Sequence, residues 1–329
     1  HTTFRLGGPA DYYYEASTPE EIETAVRLCR EQKISYYILG LGSNLLVRDK
    51  GIRGLVIRPM NREIKIIPNP PVTAVHDLKA ETSDHYRPAE TKKYLNFDDL
   101  DLPEPPADTF VRAGAGVSLA SLISWTLDKG LTGLQSFAGI PSSVGGAVYN
   151  NIHGGTKLLD QFIYEVKLLS VEGESQSSVS DDNLNVMAVK HDGMMFAYDQ
   201  SRLQKTKEIV LEVIFCLAHG DADKARFVRD EWRKRKLKVQ PQTNCPGSIF
   251  KNLTPAEAER ISAPTVSAGW VLDAGLGLKG TKIGGISVSE KHANFFVNDG
   301  MGKAAEVLEL INLCRQKAKE KFNLDLNEE

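Results

Sequence analysis

Three glycine-rich turns lie at or near the ends of apolar segments, and they place the strongest limit on how this chain can fold. The first interrupts ILGLGSNLLV (residues 38–47), the second is residues 114–116, and the third is residues 139–146. Glycine accepts positive φ angles and lets another group approach where a Cβ would stand. Each turn alone is explained by simple chain reversal. Three together favour a phosphate-bearing ligand held by main-chain N–H groups.

The first turn does not match the dinucleotide-binding fingerprint. That fingerprint needs G-x-G-x-x-G at the start of a helix, with an acidic residue about 20 positions further on. Here the third glycine is missing, and a short strand is predicted over residues 45–47 instead of a helix. The usual Rossmann fold is therefore excluded. The second turn does precede a predicted helix, which Ser118 is suited to cap.

Hydrophobic periodicity predicts a mixed α/β chain. The first sixty residues read strand, helix, strand, and the helix starts with Thr18 as N-cap followed by Pro19 and two acidic residues. Further helices are predicted at residues 222–238 and 303–322, the second ending at Asn323. Further strands are predicted at residues 54–57, 63–67, 162–170, 185–190 and 209–217.

Composition narrows the class of protein. The chain has 329 residues with a net charge of -3, which gives no basic footprint for nucleic acid or an anionic membrane. No apolar run approaches the length of a membrane helix. The four cysteines are scattered without a C-x-x-C pair, which predicts reduced thiols in a cytoplasmic protein and no metal site. Residues 60–108 are polar and proline-rich, so we expect a surface insertion, partly disordered, in preference to a binding lid.

Six motifs occur in a fixed order along the chain, and together they resemble the UDP-N-acetylenolpyruvoylglucosamine reductase (UDP-N-acetylmuramate dehydrogenase) family. The resemblance covers nearly the whole chain outside residues 60–108. The motifs are TTFRLGGPAD, LGLGSNLLV, AGAGVSLASL, GLQSFAGIPSSVGGAVYNN, PGSIFKN and GTKIGGISVSEKHANFFVN.

The resemblance implies an α/β (α+β) fold: a two-lobed FAD-binding module of the vanillyl-alcohol-oxidase/PCMH type, followed by an α+β substrate-binding domain. The expected domains are a first FAD-binding lobe (residues 1–59), the insertion (60–108), a second FAD-binding lobe (109–218), the UDP-sugar domain (219–322) and a C-terminal strand returning to the active site (323–329).

The resemblance also implies the chemistry. The expected enzyme uses NADPH and FAD to reduce the enolpyruvyl double bond of UDP-N-acetylglucosamine enolpyruvate during peptidoglycan precursor synthesis. We expect a monomer in the cytoplasm with no nucleic-acid or membrane partner. Two alternatives stay open: another flavin oxidoreductase of the same fold, and a non-catalytic protein that binds flavin or a UDP-sugar.

The family motifs assign the FAD pyrophosphate to two of the glycine turns, with Gly42 expected close to the diphosphate, and Gly114 is added from the turn that follows the strand. The expected cofactor-binding residues are Gly40, Leu41, Gly42, Ser43, Asn44, Gly114, Gly139, Ile140, Pro141, Ser142, Ser143, Gly145 and Gly146.

Three catalytic residues are expected from the resemblance. Ser248 matches the serine that protonates the reaction intermediate, and the alternative is a turn serine bonded to its own backbone. Glu329, the last residue, matches a glutamate that positions or protonates the intermediate, although the family chain continues beyond it. Asp199 stands where the family has an arginine, and Arg202, three residues later, is the candidate replacement; the alternative for Arg202 is a surface arginine.

The remaining expectations concern the UDP-sugar and the side chains around it. Cys245 is interpreted as a packing residue, and residues 233–236 as a solvated helix face. His292 and Asn294 are expected to shape the site without doing proton chemistry. The expected substrate-binding residues are Tyr198, Lys238, Lys251, Asn252 and His292.

Overall fold

The computed structural model describes residues 1–68, 100, 102, 105–170 and 184–329. Most of the predicted insertion, residues 60–108, lies outside the described residues. The chain divides into two compact units. The terminal unit comprises His1–Asp11, Leu41–Arg53 and Lys234–Glu329, and the central unit comprises Tyr12–Gly40 and Gly54–Arg233.

The described strands follow the predicted order closely. They are β1 (Ala10–Ala16), β2 (Tyr36–Ile38), β3 (Ile52–Pro59), β4 (Ile64–Ile67), β5 (Thr109–Gly114), β6 (Leu131–Thr132), β7 (His153–Gly154), β8 (Lys157–Leu158), β9 (Ile163–Ser170), β10 (Asn185–Lys190), β11 (Ile209–His219), β12 (Lys282–Ile283), β13 (Ile286–Val288) and β14 (Phe296–Asn298).

Two of the described α-helices begin at caps that the sequence already shows, and a third ends at one. Thr18 and Ser118 each accept a main-chain N–H at the start of their helices, and Asn323 ends the last helix at φ 48°. The helices are α1 (Pro19–Glu31), α2 (Leu119–Asp128), α3 (Val144–Asn150), α4 (Leu203–Thr206), α5 (Ala222–Val239), α6 (Pro255–Arg260), α7 (Ala268–Trp270) and α8 (Ala304–Phe322).

The central unit is built on an antiparallel sheet in the order β10-β9-β11-β5-β4, with β6 paired to β11. The long strand β11 pairs with both β9 and β5, so alternate apolar residues face a continuous core. Helices α2 and α3 cover that core with Leu122, Ile123 and Val148, all buried. A smaller sheet, β1-β3-β2, packs its apolar side against α1.

The terminal unit has its own core. The sheet β12-β13-β14 packs against α8, whose buried face includes Val307, Leu310 and Cys314. Phe4, from the first residues of the chain, is buried in the same core. The N-terminal segment and residues 41–53 therefore belong with the C-terminal third of the chain, which differs from the expected division at residues 59 and 218.

One predicted element is wrong. Residues 45–47 form no strand, because their main chain lacks a continuous partner: the adjacent Arg48 carbonyl accepts single bonds from Gly8 and Gly51. Leu46 packs against the core of the terminal unit while Leu45 is exposed. The apolar residues mark an anchored loop. No helix in the described ranges has both the length and the apolar character needed to cross a bilayer.

Candidate active site

The segment around Ser248 is paired with the C-terminal end of the chain. Glu329 donates its main-chain N–H to the Ile249 carbonyl at 2.9 Å, and Lys251 donates to the Asn327 carbonyl at 2.8 Å. Phe250 and Glu328 form the bridge between these bonds. The last residues of the chain therefore lie directly beside Ser248, within the terminal unit.

Asn294 holds the other side of this segment. Its Oδ1 accepts the Phe250 N–H at 2.9 Å, its Nδ2 donates to the Phe250 carbonyl at 2.8 Å, and its own carbonyl accepts the Ile249 N–H at 2.8 Å. Asn294 is 3% exposed and Phe250 is fully buried. Because both polar groups of a buried residue bond to one side chain, the segment has little freedom to shift.

Residues 41–44 form a loop, called here the glycine loop, on the remaining side. Thr3 fastens it by donating its N–H to the Gly42 carbonyl at 3.0 Å, while its Oγ1 donates to the Cys245 carbonyl at 2.8 Å. Gly42 has φ +65°, and a Cβ there would stand 2.7 Å from the His1 carbonyl oxygen. The glycine at this position is thus required by the approach of the chain's own backbone.

The glycine loop also meets the C-terminal residue. Asn44 Nδ2 donates to the Glu329 carbonyl at 3.4 Å. A Cβ on Gly247, which has φ +99°, would lie 3.7 Å from the Ser43 carbonyl oxygen. Residues 41–44, residues 247–249 and Glu329 are therefore neighbours, and together they are called the Ser248 site.

The hydroxyl of Ser248 bonds to no other group in the part of the chain that the structure describes. The interpretation as a turn serine bonded to its own backbone is therefore not supported. Glu328, the neighbour of Glu329, forms an ion pair with Arg315 at 2.8 Å. Ser248 is half-buried, which restricts its side chain, and its hydroxyl makes no hydrogen bond to the described residues.

Burial shifts the pKa values of several titratable groups in the terminal unit. Burial lowers the pKa of His292, whose Nδ1 accepts the Asn294 N–H at 3.2 Å, so the neutral ring carries its proton on Nε2. Burial raises the pKa of Cys245, which keeps it as a thiol and agrees with a packing role. Burial lowers the pKa of Lys236 to about 8, and Lys236 is half-buried while residues 233–235 are exposed, as expected for a solvated face.

The expected substrate-binding residues of the terminal unit have different surroundings. Lys238 is exposed on α5, and Lys251 is half-buried beside the C-terminal pairing. Asn252 Oδ1 accepts the Ala268 N–H at 3.3 Å, at the start of α7. His292 packs edge-on against Phe295 with ring centroids 4.9 Å apart.

In the central unit, most main-chain N–H groups of the glycine turns donate hydrogen bonds to other groups of the protein. Gly114 donates its N–H to the Glu63 carbonyl, and the amides of Val144 and Gly145 at the start of α3 donate to carbonyls in residues 115–117. Gly146 donates to Ser143 Oγ at 3.3 Å. Within residues 139–146, the main-chain N–H groups of Gly139 and Ser143 donate to no described acceptor.

The residues expected to replace the arginine also lie in the central unit. Arg202 makes a two-point ion pair with Glu208, at 2.8 and 2.9 Å, and donates to the Gly193 carbonyl at 3.1 Å. Asp199 is buried with φ 52°, 3.3 Å from His153 Nδ1. Tyr198 stacks on the His153 ring. The catalytic role of Arg202 stays a prediction, and its observed partners are structural.

Comparison with known proteins places the chain in a family. The C-terminal domain family of UDP-N-acetylenolpyruvoylglucosamine reductase matches residues 240–329, and an FAD binding domain family matches residues 92–177. A UDP-N-acetylenolpyruvoylglucosamine reductase of Clostridium botulinum is 32% identical over all of this chain and 88% of its own length. The chain belongs to the UDP-N-acetylenolpyruvoylglucosamine reductase family. A relative of the same name from Carboxydothermus hydrogenoformans is 30% identical over 99% of this chain and 88% of its own.

A solved structure agrees with this assignment. The crystal structure of the UDP-N-acetylenolpyruvylglucosamine reductase of Thermus caldophilus matches all of this chain and 94% of its own, with a TM-score of 0.68 and 26% identity. The resemblance and the fold class predicted from the sequence are confirmed. The protein is an oxidoreductase of this family with an FAD-binding domain.

The glycine loop has the donors that a flavin diphosphate needs. The main-chain N–H groups of Leu41, Gly42, Ser43 and Asn44 donate to no acceptor among the described residues. Main-chain N–H groups without an acceptor in the fold are donors suited to phosphate oxygens. The glycine loop of the terminal unit is therefore suited to bind the diphosphate of FAD, the cofactor of this family. The main-chain N–H groups of the loop provide this fit, and the absence of a Cβ at its glycines does not.

The sequence does not identify Thr3 as a residue of this site, although Thr3 lies in the motif TTFRLGGPAD. No local signal marks Thr3, because its two acceptors are 39 and 242 residues away. Among the described residues, no group of three or more His, Cys, Asp or Glu side chains could hold a metal ion.

Proposed function

We propose that this protein reduces the enolpyruvyl double bond of UDP-N-acetylglucosamine enolpyruvate, using NADPH as the reductant and FAD as the bound cofactor. The observation that supports this most directly is the Ser248 hydroxyl. It stands between the glycine loop and Glu329 without a hydrogen-bond partner among the described residues. A hydroxyl that makes no hydrogen bond to the described residues is available to the substrate.

The reaction adds one hydride and one proton across a carbon–carbon double bond. The amides of residues 41–44 would hold FAD, and bound FAD would supply hydride transfer from NADPH to the substrate. Negative charge then develops on the carbon that bears the carboxylate, and Ser248 Oγ–H holds the proton that this carbon needs. A hydroxyl is a weak acid, but it is adequate against a much more basic carbanion.

Other residues of the Ser248 site position the substrate. The amides of residues 41–44 bind the cofactor diphosphate, which orients the flavin without adding side-chain charge. Glu329, fixed by its main-chain bond to Ile249, is proposed to orient or protonate the intermediate. Lys238, Lys251 and Asn252 are proposed to bind the substrate's diphosphate and uridine, since lysine provides a compact charge for phosphate.

The test separates the two half-reactions of the purified enzyme. Ser248→Ala should leave flavin reduction by NADPH unchanged and slow flavin reoxidation by the UDP-sugar by about 100-fold or more, the usual contribution of a general acid. Stopped-flow absorbance of the flavin measures both rates. Ser287→Ala, the same substitution on strand β13 of the terminal unit, is the matched control and should change neither. Equal slowing of both half-reactions would remove Ser248 from the role of proton donor.

The same preparation distinguishes the alternatives. A yellow protein whose NADPH consumption requires the enolpyruvyl UDP-sugar supports the proposal. Turnover with a different substrate would make it another flavin oxidoreductase of this fold. A yellow protein that binds the sugar without turnover would be a binding protein, and a colourless one that takes up no FAD would contradict every interpretation that requires a flavin.

We also propose that the enzyme acts as a monomer in the cytoplasm. Its substrates are small and soluble, and the scattered cysteines are consistent with a reducing compartment. Sedimentation velocity of the holoenzyme should give a single species of about 36 kDa. A stable dimer at micromolar concentration would correct the oligomeric state without affecting the reaction.

A further inference from the structure

Thr3 joins the glycine loop to the segment that leads to Ser248. Its main-chain N–H donates to the Gly42 carbonyl at 3.0 Å. Its Oγ1 donates to the Cys245 carbonyl at 2.8 Å, three residues before Ser248. A hydroxyl has a single hydrogen, and the contact of this hydroxyl with the Gly42 carbonyl is longer, at 3.4 Å. The hydroxyl therefore mainly ties Thr3, and the loop bonded to it, to the Cys245 carbonyl.

The acceptor of this hydroxyl bond lies on a segment that Asn298 holds. The main-chain N–H of Asn298 donates to the Asn244 carbonyl at 3.0 Å, and Asn244 Nδ2 donates to the Asn298 carbonyl at 3.1 Å. Cys245 directly follows Asn244 in the chain. The Cys245 carbonyl therefore has little freedom to move away from Thr3.

The donor of the hydroxyl bond is held by the same residue. Asn298 Nδ2 donates to the carbonyls of Phe4 and Arg5, the two residues after Thr3, each at 3.2 Å. Its Oδ1 accepts two main-chain N–H groups of the turn that follows, both at 2.9 Å. Asn298 is 1% exposed, so these bonds are shielded from water. A single buried side chain thus fixes the segment that carries Thr3.

The glycine loop depends on Thr3 for its position. Within the described residues, the hydrogen bonds of residues 41–44 run to Thr3 and, through Asn44 Nδ2, to the Glu329 carbonyl at 3.4 Å. The N–H bond from Thr3, at 3.0 Å, is the shorter of these. The main-chain N–H groups of the loop are therefore held in place largely through one residue of the N-terminal segment.

This arrangement matters for a ligand that is bound by main-chain N–H groups. Such groups bind a diphosphate best when they are already in position, because the ligand then spends no free energy on ordering them. A loosened loop is competent for only part of the time, and the apparent Kd rises in proportion. We propose that Thr3 is a positioning residue for the cofactor, whose hydroxyl bond to the Cys245 carbonyl holds the glycine loop ready for the FAD diphosphate. The inference rests on the assignment of the diphosphate to this loop in the proposed function.

The test measures how tightly the purified holoenzyme retains FAD. The holoenzyme is diluted in steps, and the fluorescence of the FAD that passes an ultrafiltration membrane gives the Kd of each variant. Thr3→Val keeps the shape of the side chain and removes the hydroxyl, so it should raise the Kd for FAD by about 3- to 10-fold, the effect of one neutral hydrogen bond. Thr3→Ala removes the same hydroxyl and should raise the Kd at least as much.

Two control variants separate positioning from a loss of folded protein. Thr3→Ser keeps the hydroxyl donor, and its Kd for FAD should stay within about 2-fold of the wild-type value. Thr281→Val makes the same change in the terminal unit at a half-buried threonine whose hydroxyl bonds to no described residue, and it should leave the Kd unchanged. Circular dichroism of the same samples gives the folded fraction. Unfolding lowers the number of FAD sites, whereas a positioning defect changes the Kd.

Each outcome decides the role of the Thr3 hydroxyl. A raised Kd in Thr3→Val and Thr3→Ala that Thr3→Ser restores supports the proposal. An unchanged Kd in Thr3→Val, a loss in Thr3→Ser equal to that in Thr3→Val, or a similar rise in Thr281→Val would overturn it. Those results leave the proposed function standing as long as the wild-type holoenzyme consumes NADPH only with the enolpyruvyl UDP-sugar. Absence of that turnover would contradict the proposed function, whatever the variants of Thr3 show.

Discussion

Replacing Asn294 with alanine tests how strongly the fold holds the Ser248 segment. The side chain supplies the hydrogen-bond partners of both main-chain groups of Phe250, at 2.9 and 2.8 Å. Phe250 is fully buried, so water cannot replace either bond without entering the core. Leaving a buried polar group unpaired costs about 1–3 kcal/mol, so Asn294→Ala should destabilise the terminal unit by about 2–6 kcal/mol.

The assay is urea unfolding of the holoenzyme, followed by circular dichroism and by tryptophan fluorescence. Two units can unfold separately, so the midpoint of the earlier transition is compared between variants. Asn327→Ala makes the same substitution at an exposed position of this unit and should change stability by less than about 0.5 kcal/mol. A loss below about 1 kcal/mol for Asn294→Ala would show that the two bonds do not hold the segment.

The same variant has a kinetic consequence. Because Ser248 lies two residues before Phe250, a loosened segment should slow flavin reoxidation by the UDP-sugar more than flavin reduction by NADPH. Stopped-flow measurements on the folded fraction, at low temperature, test this expectation. Unchanged reoxidation in a clearly destabilised protein would separate the stability role of Asn294 from any role in catalysis.

Three further predictions follow from individual contacts. Arg202→Ala should destabilise the protein by about 3–5 kcal/mol in urea unfolding, because it leaves the buried Glu208 carboxylate without its ion pair; a change near zero would contradict a structural role. Gly269→Ala should lower the melting temperature, since a Cβ there would stand 2.6 Å from His292 Cε1, and an unchanged melting temperature would show that the ring moves freely. Lys236 should react with an acylating reagent with a midpoint near pH 8, because burial lowers its pKa and the neutral amine is the nucleophile; a midpoint near the ordinary lysine value would refute this, as peptide mass spectrometry can show.

Local signals account for the elements that were predicted correctly. The start of α1 depends on Thr18 and Pro19, which are adjacent, and the end of α8 depends on Asn323 in the left-handed conformation. The interactions that form such caps span a few residues, so a short stretch of sequence contains them completely. The strand expected at residues 45–47 failed because a strand needs a partner, and apolar residues alone do not supply one.

The Ser248 site, unlike the helix caps, depends on contacts between residues that are far apart in the sequence. Ser248 and the glycine loop are visible in the sequence as motifs, yet their neighbours are not. Asn294 lies 44 residues from Phe250, and Thr3 reaches an acceptor 242 residues away. The reason for glycine at position 42 is also non-local, since the group that excludes a Cβ there is the carbonyl of His1.

The sequence by itself determined the order of helices and strands, the family and the residue types that its chemistry needs. Only the tertiary structure decided that Glu329 lies beside Ile249, that Arg202 is bound to Glu208, and that Asp199 lies 3.3 Å from His153 Nδ1. The physical reason is the range of the interactions. Caps and periodicity are satisfied within a turn or a strand, whereas a buried polar group is paired by whichever distant segment the packed core brings to it.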